Sequence, residues 1–311
     1  MSLNNQKLTD RSIQVALDAA LENVQPEGWV TRIADFVSSA QTKGETWIIP
    51  SDTSLMREWK GERVYNDLSH TEFSVKVKQY ENTLLVDRRD IELNNGGIVD
   101  RAIANIAAES QRHYARMLHD VLTDGTALAH DGIAFYGNRS GKFNNDLDAT
   151  DLDITALTSG DRLAVAEGKD LLLGVEETFL SMKDSNGEPA NADLDLLIFC
   201  SPKQRRALRG SMEAQMIVEA GAAVSNLVSI VSGTSMEIVS NARFDDDTIY
   251  VVNVANKKPF IILEEGQPRY EVQGEGSAVA FEKKKHAFGI EHRRGFAGYL
   301  PQGVLKIDLT A

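Results

Sequence analysis

The chain is short of cysteine, of long apolar runs and of positive charge, and each shortage excludes a class of protein. Cys200 is the single cysteine in 311 residues, so no internal disulfide framework or multi-cysteine metal site is expected. With no structural disulfide, the expected compartment is intracellular. No window approaches eighteen consecutive apolar residues, which removes a membrane-spanning helix and, with it, a membrane partner. The segment from Met1 to Asp10 lacks the basic start and apolar centre of a secretion signal. Lys and Arg number 33 against 46 Asp and Glu, a net charge of −13. A protein that draws its affinity from phosphates needs a positive face, and this balance does not provide one. The zinc-protease, nucleophile-elbow and phosphate-loop motifs are all missing. The expectation is therefore a protein that is not an enzyme and has no cofactor, no catalytic residues and no metal ligands.

What is there is 42% hydrophobic residues in a sequence without repeats or low-complexity tracts, enough for one large domain or two smaller ones. Acidity is segregated. From Asn253 to Ala311 nine Lys/Arg face seven Asp/Glu, a local +2, which leaves −15 on the remainder. That segregation favours head-to-tail contacts between copies, or is simply the fluctuation of a solvated surface. Over 8–24, Asp10 is placed to cap a helix whose Ile13, Leu17, Leu21 and Val24 form one face; Pro26 and Gly28 end it. Between Lys43 and Tyr80 lie a short extended segment at Trp47–Pro50 and a charged stretch around Trp59 and Gly61. There follow an alternating strand at Phe73, Val75 and Val77 and a second strand over Thr83–Val86. These suggest an elongated hairpin with little core of its own, marginal without a partner surface.

After the turn at Asn94–Gly97, apolar residues recur at helical spacing from Val99 to Val121, predicting an unusually long helix over 98–123. Residues 126–160 read as loop. Helices are expected over Asp161–Lys183 and from Pro202 to Met216, with a buried strand at Leu194–Cys200 between them. Strands are expected at Met236–Val239, Ile249–Asn253, Phe260–Leu263, Ala278–His292 and Val304–Leu309.

Each candidate for chemistry has a plainer alternative. Cys200 ends an apolar strand and reads as a core residue rather than a nucleophile. Asp146, Asp148, Asp151 and Asp153 alternate in a loop but lack the glycine and terminal glutamate of a calcium loop, so a solvated acidic loop is the better reading. His119–Asp120 and His130–Asp131 look like acid/base pairs, although sequence neighbours rarely face one another. Gly274 and Gly276 signal a turn. Lys283–Lys285 with Arg293–Arg294 form a basic stretch, suited to a subunit contact or a solvated edge, with no aromatic platform for nucleic acid.

Four segments carry a resemblance: REWKGERVYNDL at 57–68, VDRRDIELNNGGI at 86–98, LAHDGIAFYGNRSGKFNN at 128–145 and FGIEHRRGFAGYLPQGVLKI at 288–307. In this order they are similar to the Mu-like prophage major head subunit family. The third departs in having Phe135–Tyr136 where two Phe are common, and in lacking a later His-Pro.

The resemblance implies an α+β fold of the Hong Kong 97 capsid type. Residues 1–45 would be an N-terminal arm and 46–80 an extended loop. Residues 81–159 and 256–311 would make a peripheral domain on a spine helix 98–123, and 160–255 an axial domain. It implies a major capsid protein that assembles with itself, as hexamers and pentamers, into the icosahedral head of a tailed phage or prophage around packaged double-stranded DNA. DNA would be held by non-specific enclosure, with scaffold, protease and portal proteins as further partners. The location would be the virion head after synthesis in the bacterial host cytoplasm. Candidate interface residues are Arg57, Trp59, Lys60, Gly61 and Arg63 in the loop, Asp87, Arg88, Arg89 and Asp90 at its base, and Arg293 and Arg294. Asp87–Asp90 would hold a hinge or pair with Arg293 and Arg294. An encapsulin-like compartment shell and an intracellular α/β enzyme are the alternatives.

Overall fold

A computed structural model describes residues 15, 19, 26–38, 46–50, 58, 61, 70–92, 96–214, 216–219, 222–225, 234–255 and 257–310. The expected helix over 8–24 falls outside them, except that Val15 and Ala19 are helical. In chain order the elements begin with α1 (Gly28–Ile33), β1 (Ala34–Ser38), β2 (Thr46–Pro50), β3 (His70–Ser74) and β4 (Lys78–Asp87). Next come α2 (Arg88–Glu92) and the long α3 (Gly96–Thr123), then short β5 (Asn138–Arg139), β6 (Phe143–Asn144) and β7 (Asp146–Asp148). The middle holds α4 (Val165–Ser181), β8 (Asp195–Cys200), α5 (Arg205–Glu213), β9 (Met216–Glu219) and β10 (Ala222–Ser225). Finally there are β11 (Ser235–Ser240), β12 (Thr248–Asn253), β13 (Phe260–Glu264), β14 (Arg269–Gln273), α6 (Ala278–Lys283), β15 (Lys285–Gly298) and β16 (Val304–Asp308).

The spine helix is unbroken for 28 residues, about 42 Å at 1.5 Å per residue. Ile106, Ala107, Tyr114, Ala115, Leu118 and Leu122 are its buried stripe, while Arg101, Arg112 and Arg116 are exposed. That periodicity lets one rod serve as a common wall for two sheets.

The first sheet is organised by β15. Its 14 residues pair along one edge with β4, from Lys285↔Asp87 to Arg294↔Lys78, and along the other with β14 and then β13; β1 adds in parallel to β13. The second sheet runs β11-β8-β12-β16-β7. Its alternate residues bury opposite faces. Leu196, Ile198, Cys200, Val251 and Ile307 meet Leu171, Val175, Phe179 and Leu208 of the helices α4 and α5. Leu197, Phe199, Tyr250 and Val252 meet Tyr114, Leu118 and Leu122 of the spine. Burial on both faces explains why these strands read as continuous apolar runs rather than alternating ones.

Several expectations are corrected. The strand through Thr83–Val86 is longer and joins β15 instead of forming the hairpin; the partner of β2 is β3, from Thr46↔Ser74 to Pro50↔His70. Residues 278–283 are helical, not extended, because the Ser277 side chain accepts from the Ala280 amide and the turn ends at Lys284 with φ 54°. The helices expected from Asp161 and Pro202 begin later, at Val165 and Arg205. Met216 starts a strand. Loop 126–160 contains three short strands and a 3-10 turn over Ala149–Leu152. β7 and β16 complete the sheet built from β8, β11 and β12.

Candidate assembly surface

A protein that works by covering copies of itself needs elements that its own core does not satisfy. Two hairpins meet that description. Among the described residues, β2 pairs only with β3, and β9 only with β10; neither hairpin belongs to either large sheet. The base of the first is anchored by Val75, 1% exposed and packed with Val37, Ile261, Leu263, Tyr299 and Leu300. Gly295 makes this close approach feasible, because a Cβ there would lie 2.9 Å from the Lys76 carbonyl oxygen. Of the loop candidates, Arg57, Trp59, Lys60 and Arg63 lie outside the described residues. Gly61 is exposed with φ +96°, a left-handed conformation that suits glycine, and Glu58 beside the tryptophan is exposed.

The expected pairing of Asp87–Asp90 with Arg293–Arg294 does not form. Antiparallel registry places Asp87 opposite Lys285 and Arg294 opposite Lys78, nine positions along β15, or about 30 Å. Instead, Arg88 reaches Glu275 at 3.0 Å and its amide donates to the Lys284 carbonyl at 3.1 Å. These two bonds tie α2 to the 274–284 turn. Asp87 accepts from the Arg89 amide at 2.9 Å. Arg89 is exposed and Asp90 half-buried. Arg293, at the surface, lies 3.7 Å from Glu265 and 3.6 Å from Glu291.

Arg294 is buried, with 3% of its side chain exposed, and it clamps the first sheet to the spine. Its guanidinium sits over the Tyr114 ring, donates to the Ser110 carbonyl at 3.2 Å and to His292 Nδ1 at 2.8 Å, and lies 3.5 Å from Glu264. The Tyr114 hydroxyl also donates to Glu264. With Nδ1 accepting, neutral His292 carries its proton on Nε2, which is 2.8 Å from Ser110 Oγ. Burial, with the Arg294 charge adding to it, holds His292 down to about 3 and His113 to about 4. The buried Nδ1 of His113 has no hydrogen-bond partner among the described residues, and its ring packs edge-on to Tyr80 at 4.3 Å. Burial raises the Tyr114 phenol above its ordinary value. The cluster is neutral apart from one ion pair.

The other motifs are structural. Burial pushes the Cys200 thiol up to about 12, so it holds no nucleophilic thiolate at neutral pH. Asp148 accepts from the Thr150 and Asp151 amides while Asp151 accepts from the Asp148 amide, and Asp146 meets Lys306 at 2.9 Å. Among the described residues no cluster of three or more His, Cys, Asp or Glu could hold a metal, and no helix is long and apolar enough to cross a membrane. His119 and Asp120, expected not to face one another, do meet at 3.2 Å; His119 Nε2 lies 3.0 Å from the Arg243 carbonyl oxygen, so the pair staples the spine to the 241–244 turn. His130 and Asp131 separate, to the Tyr299 carbonyl and to Arg139.

Sequence reasoning missed the buried polar side chains that hold the loops. Arg139 bridges Asp131 at 2.7 Å and donates to the carbonyls of Ala134, Phe135 and Gly137. Gln204, fully buried, donates to the carbonyls of Asp161 and Asp246 and accepts from the Leu163 amide. Asn145 joins the Phe135 and Pro301 carbonyls to the Gly137 amide. Apart from the Asp131 carboxylate, their partners are backbone groups, which leave no side-chain motif to find.

Residues 7–152 match the model of the family described as the Mu-like prophage major head subunit gpT. No curated protein matches the sequence. Among solved structures, the procapsid of bacteriophage JBD30 aligns with a TM-score of 0.55 at 15% identity, covering 99% of this chain and 76% of that one. The bacteriophage PhiM1 mature capsid gives 0.55 at 11% identity, covering 93% and 89%. The cyanophage Pam1 capsid gives 0.53 at 10% identity, covering 90% and 89%. These likenesses bear out the expected Hong Kong 97-type fold, and the family match favours a head subunit over the compartment-shell and enzyme alternatives. Over residues 7–152 the chain is similar to the Mu-like prophage major head subunit family, and it has the fold of the phage capsid structures along nearly its whole length.

Proposed function

We propose that this subunit builds the head shell of a Mu-like tailed phage or prophage by packing against copies of itself, enclosing double-stranded DNA without a sequence-reading site. The observation that carries the reading is the β2–β3 hairpin, which pairs with nothing else among the described residues, inside the segment that matches the head-subunit family. A two-stranded ribbon of this kind needs a partner surface to be stable, and a neighbouring copy supplies one.

In this reading residues 1–45 are the arm and 46–80 the loop laid on a neighbour. Residues 81–159 with 256–311 form the peripheral domain, and 160–255 the axial domain at the symmetry axes. Trp59 is the apolar anchor of the loop, with Arg57, Lys60 and Arg63 near it in sequence and Gly61 setting the turn; aromatic and arginine side chains dominate such contacts. Asp87, Arg89, Asp90 and Arg293 lie at exposed or half-buried positions suited to subunit contact. The net charge of −13 suits a container, because a lining that bound phosphates tightly would hinder packing and ejection. The subunit is made in the host cytoplasm, resides in the virion head and works with scaffold, protease and portal proteins.

The test is electron microscopy of the protein expressed alone and with its scaffold. Rings of five or six and closed shells are expected. A chain that remains monomeric in both preparations at high concentration overturns the reading.

A further inference from the structure

Among the described residues the most exposed large apolar side chain is Phe281, at 90%. It sits on α6, in the turn joining β14 to β15, and three contacts hold the turn. Ser277 caps the helix, Glu275 pairs with Arg88, and the Arg88 amide binds the Lys284 carbonyl. Glu282, Lys283 and Lys284 are exposed around the ring and Lys285 is half-buried. With Glu275 already paired, the knob is cationic.

The same chain contains a cleft of opposite character. About 430 Å³ in volume, it is lined by Phe73, Val121, Ala127, Leu128 and Phe296, with Glu72 and Asp124 the charged residues and no Lys or Arg in its walls. Leu128 is 59% exposed at its mouth. Hydrogen bonds from Thr126 hold Asp124 below the usual carboxylate range, so it stays ionised.

Knob and cleft lie at opposite ends of the spine. The knob is tied to α2, just before Gly96, and the cleft is walled by Val121 and Asp124 at the helix's far end. Some 42 Å of helix separates them, so the knob cannot reach the cleft of its own chain. A knob at one end and a matching hole at the other make a heterologous contact, the kind that closes into rings or propagates through a lattice.

We propose that Phe281 of one copy enters the 121–132 cleft of the next, with Lys283 and Lys284 facing Glu72 and Asp124. The proposal rests on the head-shell reading and adds to it a specific pair of contacting surfaces. The partner is a second copy of this chain because the two surfaces complement each other in both apolarity and charge sign.

A cysteine pair tests the contact, since Cys200 is buried and silent. Shells carrying both Phe281→Cys and Leu128→Cys, once oxidised, should give a ladder of covalently linked chains on a non-reducing gel, and neither single variant should. Phe281→Ala should leave the thermal midpoint unchanged, the ring being outside the fold, and weaken capsomer association by about tenfold or more. Lys283→Glu with Lys284→Glu should block assembly, and Glu72→Lys with Asp124→Lys should restore it. Shells that form normally with Phe281→Ala, or that form with both cysteines and give no ladder, overturn the contact and leave the head-shell reading standing. Unaltered protein that forms neither rings nor shells with its scaffold overturns both.

Discussion

The Arg294 guanidinium carbon lies 3.7 Å from the centroid of the Tyr114 ring, joining the first sheet to the spine through a charge stacked on an aromatic face. Cation–π contact gains strength when the cation is desolvated, and only 3% of this arginine side chain meets solvent. The Glu264 carboxylate completes the arrangement and the Ser110 carbonyl fixes its direction.

Removing Arg294 should therefore be costly. Arg294→Ala leaves Glu264 without its cation and opens space over Tyr114. A loss of about 3 kcal/mol is expected, the low end for breaking a buried pair because Glu264 is one-third exposed. Chemical denaturation of the unassembled subunit measures it. A change below about 1 kcal/mol would mean that the clamp contributes little.

The two histidines beside it give a pH dependence of defined sign. His113 and His292 are held to about 4 and about 3 in the folded chain, against about 6.5 when unfolded. The unfolded state therefore binds more protons as pH falls below 6.5, and stability drops from there down to the folded values. The groups around them are Arg294, Arg116, Glu109, Asp120 and Tyr80. Thermal midpoints from pH 7 to pH 4 should fall, and fall less steeply in His113→Gln and His292→Gln. Parallel slopes in variant and parent would refute the assignment.

Gly295→Ala should loosen the root of the hairpin. The added methyl would stand 2.9 Å from both the Lys76 carbonyl oxygen and Val75 Cγ1, and backbone cannot yield as a flexible side chain does. Overpacking of this kind costs about 1–3 kcal/mol. Faster protease cleavage near residues 75–77, with the second sheet still protected, is the expected signature; protection unchanged from the parent would count against it.

Gln204→Ala should destabilise the second core through the loops it holds. The carbonyls of Asp161 and Asp246 and the amide of Leu163 lose their partner together. Leaving buried polar groups unsatisfied costs about 1–3 kcal/mol each, partly relieved by entering water, so about 3 kcal/mol is expected by chemical denaturation. An isosteric Gln204→Glu should fail to rescue, since a carboxylate cannot donate to the two carbonyls.

Much of this was legible locally. The spine followed from apolar spacing between Val99 and Val121, and its observed span, Gly96–Thr123, extends the expected one by two residues at the start. The apolar runs at Leu194–Cys200 and Ile249–Asn253 were recognisable as buried strands, and the hairpin was visible as alternating residues without a core. The misread pieces share a cause. Thr83–Val86 looked like the second leg of a hairpin because its real partner, β15, lies some two hundred residues on. Residues 278–283 looked extended because β-favouring neighbours outweighed a single capping serine. Gln204, Asn145 and Arg139 went unnoticed because each bonds mainly to backbone, which carries no residue identity.

By itself the sequence determined the long spine helix and the buried strands, which residues are apolar enough to form a core, and which family the chain resembles. Those properties reside in spacings of two to four residues and in short motifs. The tertiary structure alone decided that β15 takes β4 on one edge and β13 with β14 on the other, that Arg294 is buried while Arg293 stays at the surface, and that Phe281 and the 121–132 cleft sit at opposite ends of the spine. Strand registry and charge burial depend on contacts between residues far apart in the chain. Local periodicity is silent about partners at that distance.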